Sequence, residues 1–553
     1  MANRARQLHA IFLTSGSHDA DKWAHLLKEY ASLSSLREAA LVYARNLPRR
    51  THHQRLLPVL LKAAAAAASR TAHGLGRSLH AEALKSCFSG DLLVGTTLVS
   101  MYCKCGALED ARMAFDETPD RNVVTYNALL AGYAAAGDMD AALALFDGMP
   151  SWTSVTWATL IRGFAEKGDM AEARRWFDAT PPGMRNVVTW TVVVQGYVAA
   201  GDMETAREVF DRMPVRNAFV WSSMVTGYFK AGDTEAAQEV FDRIPRPNLV
   251  NWNTLIAGYA QIGCSEKALQ AFHSMMEERI KPDEFTMASV LSACAQIGSL
   301  EQGKKVHDFI NRKHIRKNHF VMNGLIDMYA KCGDLAYARG IFDSMRWKNI
   351  ECWNTMISAH ASHGQSEEAL QLFFMMERSE QKPNVITLLA VLGACTHGGF
   401  VDEGLRIFNN LEAYGIEAGV ELYGCLVDLL GRTGKVKQAY EIVKNIPEEP
   451  NEVIWGSLLG ACRVHGDAEM SRLVSDDIRR LHSRRPSSND AEYIMLSNIM
   501  AASERWEQAE QLRKMARHGI EKTPGCSSLE LGIPESQVYE TVDSRAMCKL
   551  YCS

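Results

Sequence analysis

Apolar and polar positions repeat along this chain as one phrase: GALEDARMAFD from Gly106, GDMDAALALFD from Gly137, GDMAEARRWFD from Gly168, GDMETAREVFD from Gly201, GDTEAAQEVFD from Gly232 and GDLAYARGIFD from Gly333. The first five begin 31, 31, 33 and 31 residues apart, a period that fits one helical hairpin. Within a phrase the glycine breaks one helix, and the Asp that usually follows is a good N-cap for the next. On that second helix Ala, Ala/Val and Phe recur at helical spacing. Another helix precedes it, as in VVTYNALLAGYAAAG (Val123–Gly137) and LVNWNTLIAGYAQIG (Leu249–Gly263), whose Tyr/Trp, Leu, Leu/Ile and Tyr form the facing stripe. Neither helix can bury its stripe alone. The pattern predicts an all-α fold, a right-handed α-solenoid whose hairpins share a continuous core and whose first helices line the concave side.

On this register about 13 repeats of mixed length, 31 to 38 residues, fill residues 20–451. The units fall at about 20–53, 54–91, 92–122, 123–153, 154–186, 187–217, 218–248, 249–283, 284–318, 319–349, 350–384, 385–419 and 420–451. Residues 1–19 form an N-terminal segment with Arg4 and Arg6 and no acid in its first eighteen positions. It reads either as a weak presequence or as the tail of a partial repeat, RARQLHAIFLTSG.

Composition narrows this further. A chain of 553 residues, 47% hydrophobic and 23% charged, suits several domains or an extended array better than one compact domain. A net charge of −5 excludes bulk polybasic attraction, so any nucleic-acid binding must come from a local surface. The thirteen cysteines recur in matching contexts, LSACA at Cys294, LGACT at Cys395 and LGACR at Cys462. Such cysteines are small core residues of a reducing compartment, not a disulfide framework. No membrane span is expected, because the alanine run Ala63–Ala68 is short and flanked by Lys62 and Arg70.

The phrases VVTYNALLAGY, VNWNTLIAGY, VMNGLIDMYAKCG and ECWNTMISAHASHG, with Pro282-Asp283 and Pro383-Asn384 at repeat ends, resemble the pentatricopeptide repeat (PPR) family of land-plant organelles. Repeat lengths near 31 and 35 are similar to its PLS subclass of long and short variants. From Glu452 onward, VIWGSLLGACRVHGDAEM and then Tyr493–Leu531 resemble the E-type extension that follows the last repeat, so residues 452–531 read as two more helical hairpins. Residues 532–553 read as an irregular tail that does not match the family's DYW-type deaminase domain. The resemblance implies a single-stranded RNA-binding protein of the mitochondrion, or alternatively the chloroplast. Its expected role is site recognition for C-to-U RNA editing, with a DYW-type cytidine deaminase and editing accessory proteins recruited in trans. An organellar splicing, stability or translation factor is the alternative, and a tetratricopeptide-like protein scaffold a more distant one.

Catalytic signals are sparse. A zinc deaminase needs His-x-Glu and a later Pro-Cys-x-x-Cys. His80-Ala81-Glu82 supplies the first half only, inside the amphipathic GRSLHAEALKS, and the second half is nowhere in the chain. Cys103/Cys105 and Cys548/Cys552 have the wrong spacing and no paired histidines. With no phosphate-cradling loop or nucleophile elbow either, no catalytic residue, metal or cofactor is expected, and the chain does not read as an enzyme.

Recognition residues are better marked. At the fifth position of the first helices a small polar residue recurs: Thr96, Asn127, Thr191, Ser222, Asn253, Asn323 and Asn354. Asn and Thr are poor helix formers. Their recurrence points to donors and acceptors for the edge of an unstacked base, with hydrogen bonds between neighbouring repeats as the rival explanation. A second series closes the repeats, Asn122, Asn217, Asn248, Asp283, Asn349 and Asn384, and either reads the same base or caps the next helix. The apolar residues three before the first series, Val124, Val188, Phe219, Val250 and Phe320, either wedge between bases or pack inside the solenoid, and Glu351 breaks their pattern. The family resemblance implies a code. Thr96/Asn122, Thr191/Asn217 and Ser222/Asn248 then select A, Asn253/Asp283 selects U, and Asn323/Asn349 and Asn354/Asn384 select pyrimidines. Asn127/Thr153 is weakly pyrimidine-like, so the expected core is 5′-A-Y-n-A-A-U-n-Y-Y-n-n.

Overall fold

The computed structural model describes residues 53–478, with breaks at 68–69, 86–89, 380, 448–449, 468 and 475–476, the helix Trp506–Met515, and isolated positions elsewhere. The segment 1–19, nearly all of the repeat expected at 20–53, most of 479–531 and the tail 532–553 lie outside the described residues. The chain divides into two units, Met1–Trp347 and Lys348–Ser553.

In the first unit the described elements are helix pairs, from His53–Ala67 with Arg70–Lys85 to His319–Lys331 with Leu335–Ser344. Each first helix packs on its own second helix and on the first helix of the next repeat, as in a solenoid. The second unit repeats the arrangement with Ile350–Ser362 and Ser366–Glu377, Val385–Gly398 and Val401–Asn409, and Val420–Arg432 and Val436–Lys444, followed by Glu452–Val464. Among the described residues no helix is long and apolar enough to cross a membrane.

The glycine-aspartate phrase makes the hairpin turn. Gly137, Gly168, Gly201, Gly232 and Gly333 sit at φ between 76° and 88°, a left-handed conformation that costs any residue with a Cβ. Asp138, Asp169, Asp202, Asp233 and Asp334 then cap the second helices, each side chain accepting a backbone N–H of the first turn. The core is the stripe the periodicity indicated: Leu129, Leu130, Ala142 and Phe146 in one hairpin, Leu255, Ile256, Ala268 and Phe272 in another, are all buried. Burying a phenylalanine such as Phe146 or Phe272 contributes about 1.5–3 kcal/mol. Where the phrase spacing stretches to 33, the extra residues form the short turn Pro182–Met184.

In four repeats the residue before the closing position, Arg121, Trp152, Arg185 or Arg216, ties down the end of the second helix. Arg121 donates to the Asp116 and Thr118 carbonyls and lies 4.6 Å from the Phe115 ring centre. Arg185 does the same to Asp178 and Thr180 over Phe177, and Arg216 to Phe210 and Asp211 over Phe210. Trp152 replaces the arginine once: its indole N–H donates to the Phe146 carbonyl at 3.0 Å while its ring stacks on Phe146. These groups satisfy carbonyls that a helix end leaves unpaired, and the cation adds attraction to the ring face.

Candidate nucleic-acid interface

The closing residues are N-caps. The Oδ1 of Asn122, Asn217, Asn248, Asn349 and Asn384 accepts the backbone N–H of Thr125, Val220, Asn251, Cys352 and Thr387 at 2.9–3.0 Å, and Asp283 accepts from Phe285 and Thr286. Each such bond stabilises its helix by about 1 kcal/mol. It also settles the amide's orientation, because the atom facing a backbone N–H must be the oxygen, which turns the Nδ2 donors away from the helix. In Asn349 that Nδ2 donates to Glu351, the residue that breaks the apolar series.

Around the fifth positions the structure places bonds between neighbouring repeats. Asn253 donates through Nδ2 to Asp283 Oδ1 at 3.1 Å and accepts from the Thr286 hydroxyl of the next helix. Asn354 repeats this with Asn384 at 3.2 Å and Thr387 at 2.6 Å. Asn127 lies 3.5 Å from Thr153 Oγ1 and accepts from Thr156 at 2.8 Å. In these three repeats the fifth and closing residues therefore meet directly. Thr96 reaches Asn122 through Thr125, its hydroxyl 2.8 Å from Thr125 Oγ1, which in turn bonds Asn122 Oδ1. Ser222 accepts from Asn251, whose helix Asn248 caps. Thr191, buried, turns its hydroxyl back to the Val187 carbonyl at 2.6 Å, and the Oδ1 of Asn323 is buried without a partner.

The apolar second-position residues are not packed inside. Val124, Val188, Phe219, Val250 and Phe320 are 42–61% exposed, and Leu93, Val155 and Phe285 extend the row in the first unit. The second unit presents Ile386 in the same register. In the helix of Val124 the buried residues Thr125, Leu129 and Leu130 follow one, five and six positions later, so the second-position side chain faces away from the buried stripe. Phe285 and Phe320 stand side by side with ring centres 5.8 Å apart. So the repeats of Val124, Val188, Phe219, Val250 and Phe320 combine an exposed apolar side chain with a polar fifth residue, the pairing of groups suited to stacking on a base and meeting its edge.

Sequence reasoning missed the third-position residues Thr125, Thr156, Asn251, Thr286 and Thr387, which bond the fifth position of the preceding repeat. Their signal was the Thr or Asn three residues after a capping residue, a capping box. The box forms at Thr153/Thr156, Asn248/Asn251, Asp283/Thr286 and Asn384/Thr387.

The isolated deaminase-like residues are absorbed by the fold. His80 bonds the Tyr102 hydroxyl through Nδ1 at 3.1 Å and Glu117 through Nε2 at 3.0 Å. Burial pushes the Cys103 thiol up to about 12, which leaves it protonated and a poor ligand. Cys548 and Cys552 lie outside the described residues.

Comparison with known proteins places the whole. The PPR repeat family matches residues 121–153, 247–296 and 348–397, and the single PPR repeat matches 96–123, 155–179, 188–217, 219–248 and 320–350. The chain belongs to the pentatricopeptide repeat family. An E motif follows at 466–530. A pentatricopeptide repeat-containing protein of Arabidopsis thaliana is 36% identical over 276 residues, 50% of this chain and 51% of the relative. A putative chloroplastic member from the same plant is 42% identical over 198 residues, 35% of each chain, and a mitochondrial one is 42% identical over 189 residues, 34% of this chain and 28% of the relative. The chain thus spans between about a quarter and a half of the length of these relatives. Among solved structures, the PPR protein PPR10 in complex with an 18-nt psaJ RNA element is similar in fold, at TM-score 0.52 and 16% identity over 92% of this chain and 81% of that one.

Proposed function

We propose that this PPR protein binds one single-stranded RNA sequence-specifically and serves as a site-recognition factor for organellar C-to-U editing. The observation that carries the reading is the row of exposed apolar second-position side chains, which in the repeats of Val124 and Val250 stands beside a fifth-position residue bonded to its closing residue. Bases stack on the apolar side chains, which supply affinity whatever the sequence, and the Nδ2 and hydroxyl groups select among base edges. The repeats whose fifth position is Ala158, Ala288, Leu389 or Gly424 lack an edge-reading group and act as spacers. The E motif supports the editing role, with the deaminase supplied in trans. The named relatives include chloroplastic and mitochondrial proteins, and either organelle suits this function.

A gel-shift titration tests the binding. RNA carrying 5′-A-Y-n-A-A-U-n-Y-Y-n-n is expected to bind more tightly than RNA with its A and U positions exchanged, and equal affinity refutes the code. Organellar cDNA from plants lacking the protein tests the editing role: one unedited C a few nucleotides 3′ of the core supports it, and normal editing throughout refutes it.

A further inference from the structure

We propose that the third residue of each first helix is a positioning residue for specificity: it decides which hydrogen-bonding atom of the preceding repeat's fifth residue is left to face the RNA. This rests on the RNA-reading function proposed above.

Three arrangements carry it. In the first, the third residue is a threonine within a capping box. The Thr286 hydroxyl oxygen accepts the Asp283 backbone N–H at 3.1 Å, and of the two acceptors within reach of its single proton Asn253 Oδ1, at 2.5 Å, is nearer than Asp283 Oδ1, at 2.9 Å. On the other side, Asp283 Oδ1 is an acceptor and must face the Asn253 amino group. The amide is pinned from both sides, leaving one Nδ2 hydrogen uncommitted. Thr387, Asn384 and Asn354 reproduce every one of these bonds in the other unit. An outward N–H meets a base acceptor, such as a pyrimidine carbonyl.

In the second arrangement the third residue is itself an amide. Asn251 Oδ1 accepts the Asn248 backbone N–H at 3.1 Å, so its amino group donates to Ser222 Oγ at 2.9 Å. Ser222 already accepts a bond, and its own proton is left to donate. In the third arrangement the residue is apolar: Val220 holds the register position that follows Thr191. Thr191 turns its proton back onto the Val187 carbonyl and presents only lone pairs. Thr191 and Ser222 belong to one class by residue type, a hydroxyl with a closing Asn, yet they offer a base opposite polarities. Apart from the methyl group that separates Thr from Ser, the third residue is what differs.

The test uses the full chain with Thr286→Val, Thr286→Ser, Thr387→Val and Thr387→Ser. Valine is native at this register in Val220 and Val321, both fully buried, so the fold accommodates it. Affinity is measured for RNAs varied at the base opposite repeat 249–283 or 350–384, and for control RNAs varied opposite 218–248. The Val variants are expected to lose about five- to tenfold of discrimination at their own base, the worth of one orienting hydrogen bond, with the control ratios unchanged. The Ser variants, which keep the hydroxyl, are expected to restore it. Unchanged discrimination at a lowered melting temperature, an equal loss at every base, or failure of Ser to restore would each overturn the proposal. A wild-type chain that discriminates no base would instead overturn the RNA-reading function itself, and this proposal with it.

Discussion

Replacing Phe219 by alanine separates binding from folding. The side chain is 61% exposed, so about two-fifths of its surface is covered, and removal costs about 0.6–1.2 kcal/mol of the 1.5–3 that full burial of such a side chain is worth. In a unit of this size that moves the melting temperature by at most about 2–5 °C. A base stacked on an aromatic ring is worth about 1–3 kcal/mol, so RNA affinity should fall by about five- to 150-fold. Fluorescence anisotropy with the core RNA measures the second quantity and thermal denaturation the first. Base discrimination at that repeat should hold, because Ser222 and Asn248 are untouched. A melting temperature lowered by ten degrees with unchanged affinity would show that Phe219 is a packing residue and refute the reasoning.

Arg216→Ala should act the opposite way, lowering stability by about 1–2 kcal/mol through loss of two carbonyl bonds and a ring contact, with base preference intact; Arg216→Lys should recover little, lacking the planar fork. His307 predicts a pH dependence. Burial, helped by the adjacent Lys317 ammonium, holds its pKa below the ordinary value, with Nδ1 3.0 Å from the Tyr329 hydroxyl and Nε2 3.5 Å from Lys317 Nζ. Because the folded state resists protonation, stability is full above the unfolded pKa of about 6.5 and is lost as pH falls below it. His307→Gln should flatten the melting temperature between pH 7.5 and 5.5. Arg279 adopts φ 59° after a second helix, so Arg279→Gly should raise the melting temperature by a few degrees, relieving about 1 kcal/mol of strain without touching RNA affinity.

Most of the fold was legible because its signals are local. The Gly137-Asp138 turn, the cap at Asp138 and the Leu129, Leu130 and Phe146 stripe all lie within one repeat and obey short spacings. The fifth-position and closing series were legible for the same reason. What escaped depends on stacking. Thr286 meets Asn253 only because one repeat rests on the next, 33 residues along the chain. The exposure of Val124 was equally hidden, since it stands in an apolar run, VVTY, whose helical phase alone does not say where the core begins. Trp152 stood outside any pattern until its indole was seen doing the work of an arginine.

The caps bear on how such a protein changes its target. Because Asn217, Asn248 and Asn384 each commit an oxygen to the next helix, the closing position admits only residues that start a helix well: Asn, Asp, Ser, Thr and, at some cost, Gly. Those few side chains are the whole vocabulary from which that position can be rewritten without loosening the neighbouring hairpin. On the RNA-reading function proposed above, new specificities arise by exchange within a small folding-compatible set, and the fifth position, free of capping duty, is where wider variation is affordable.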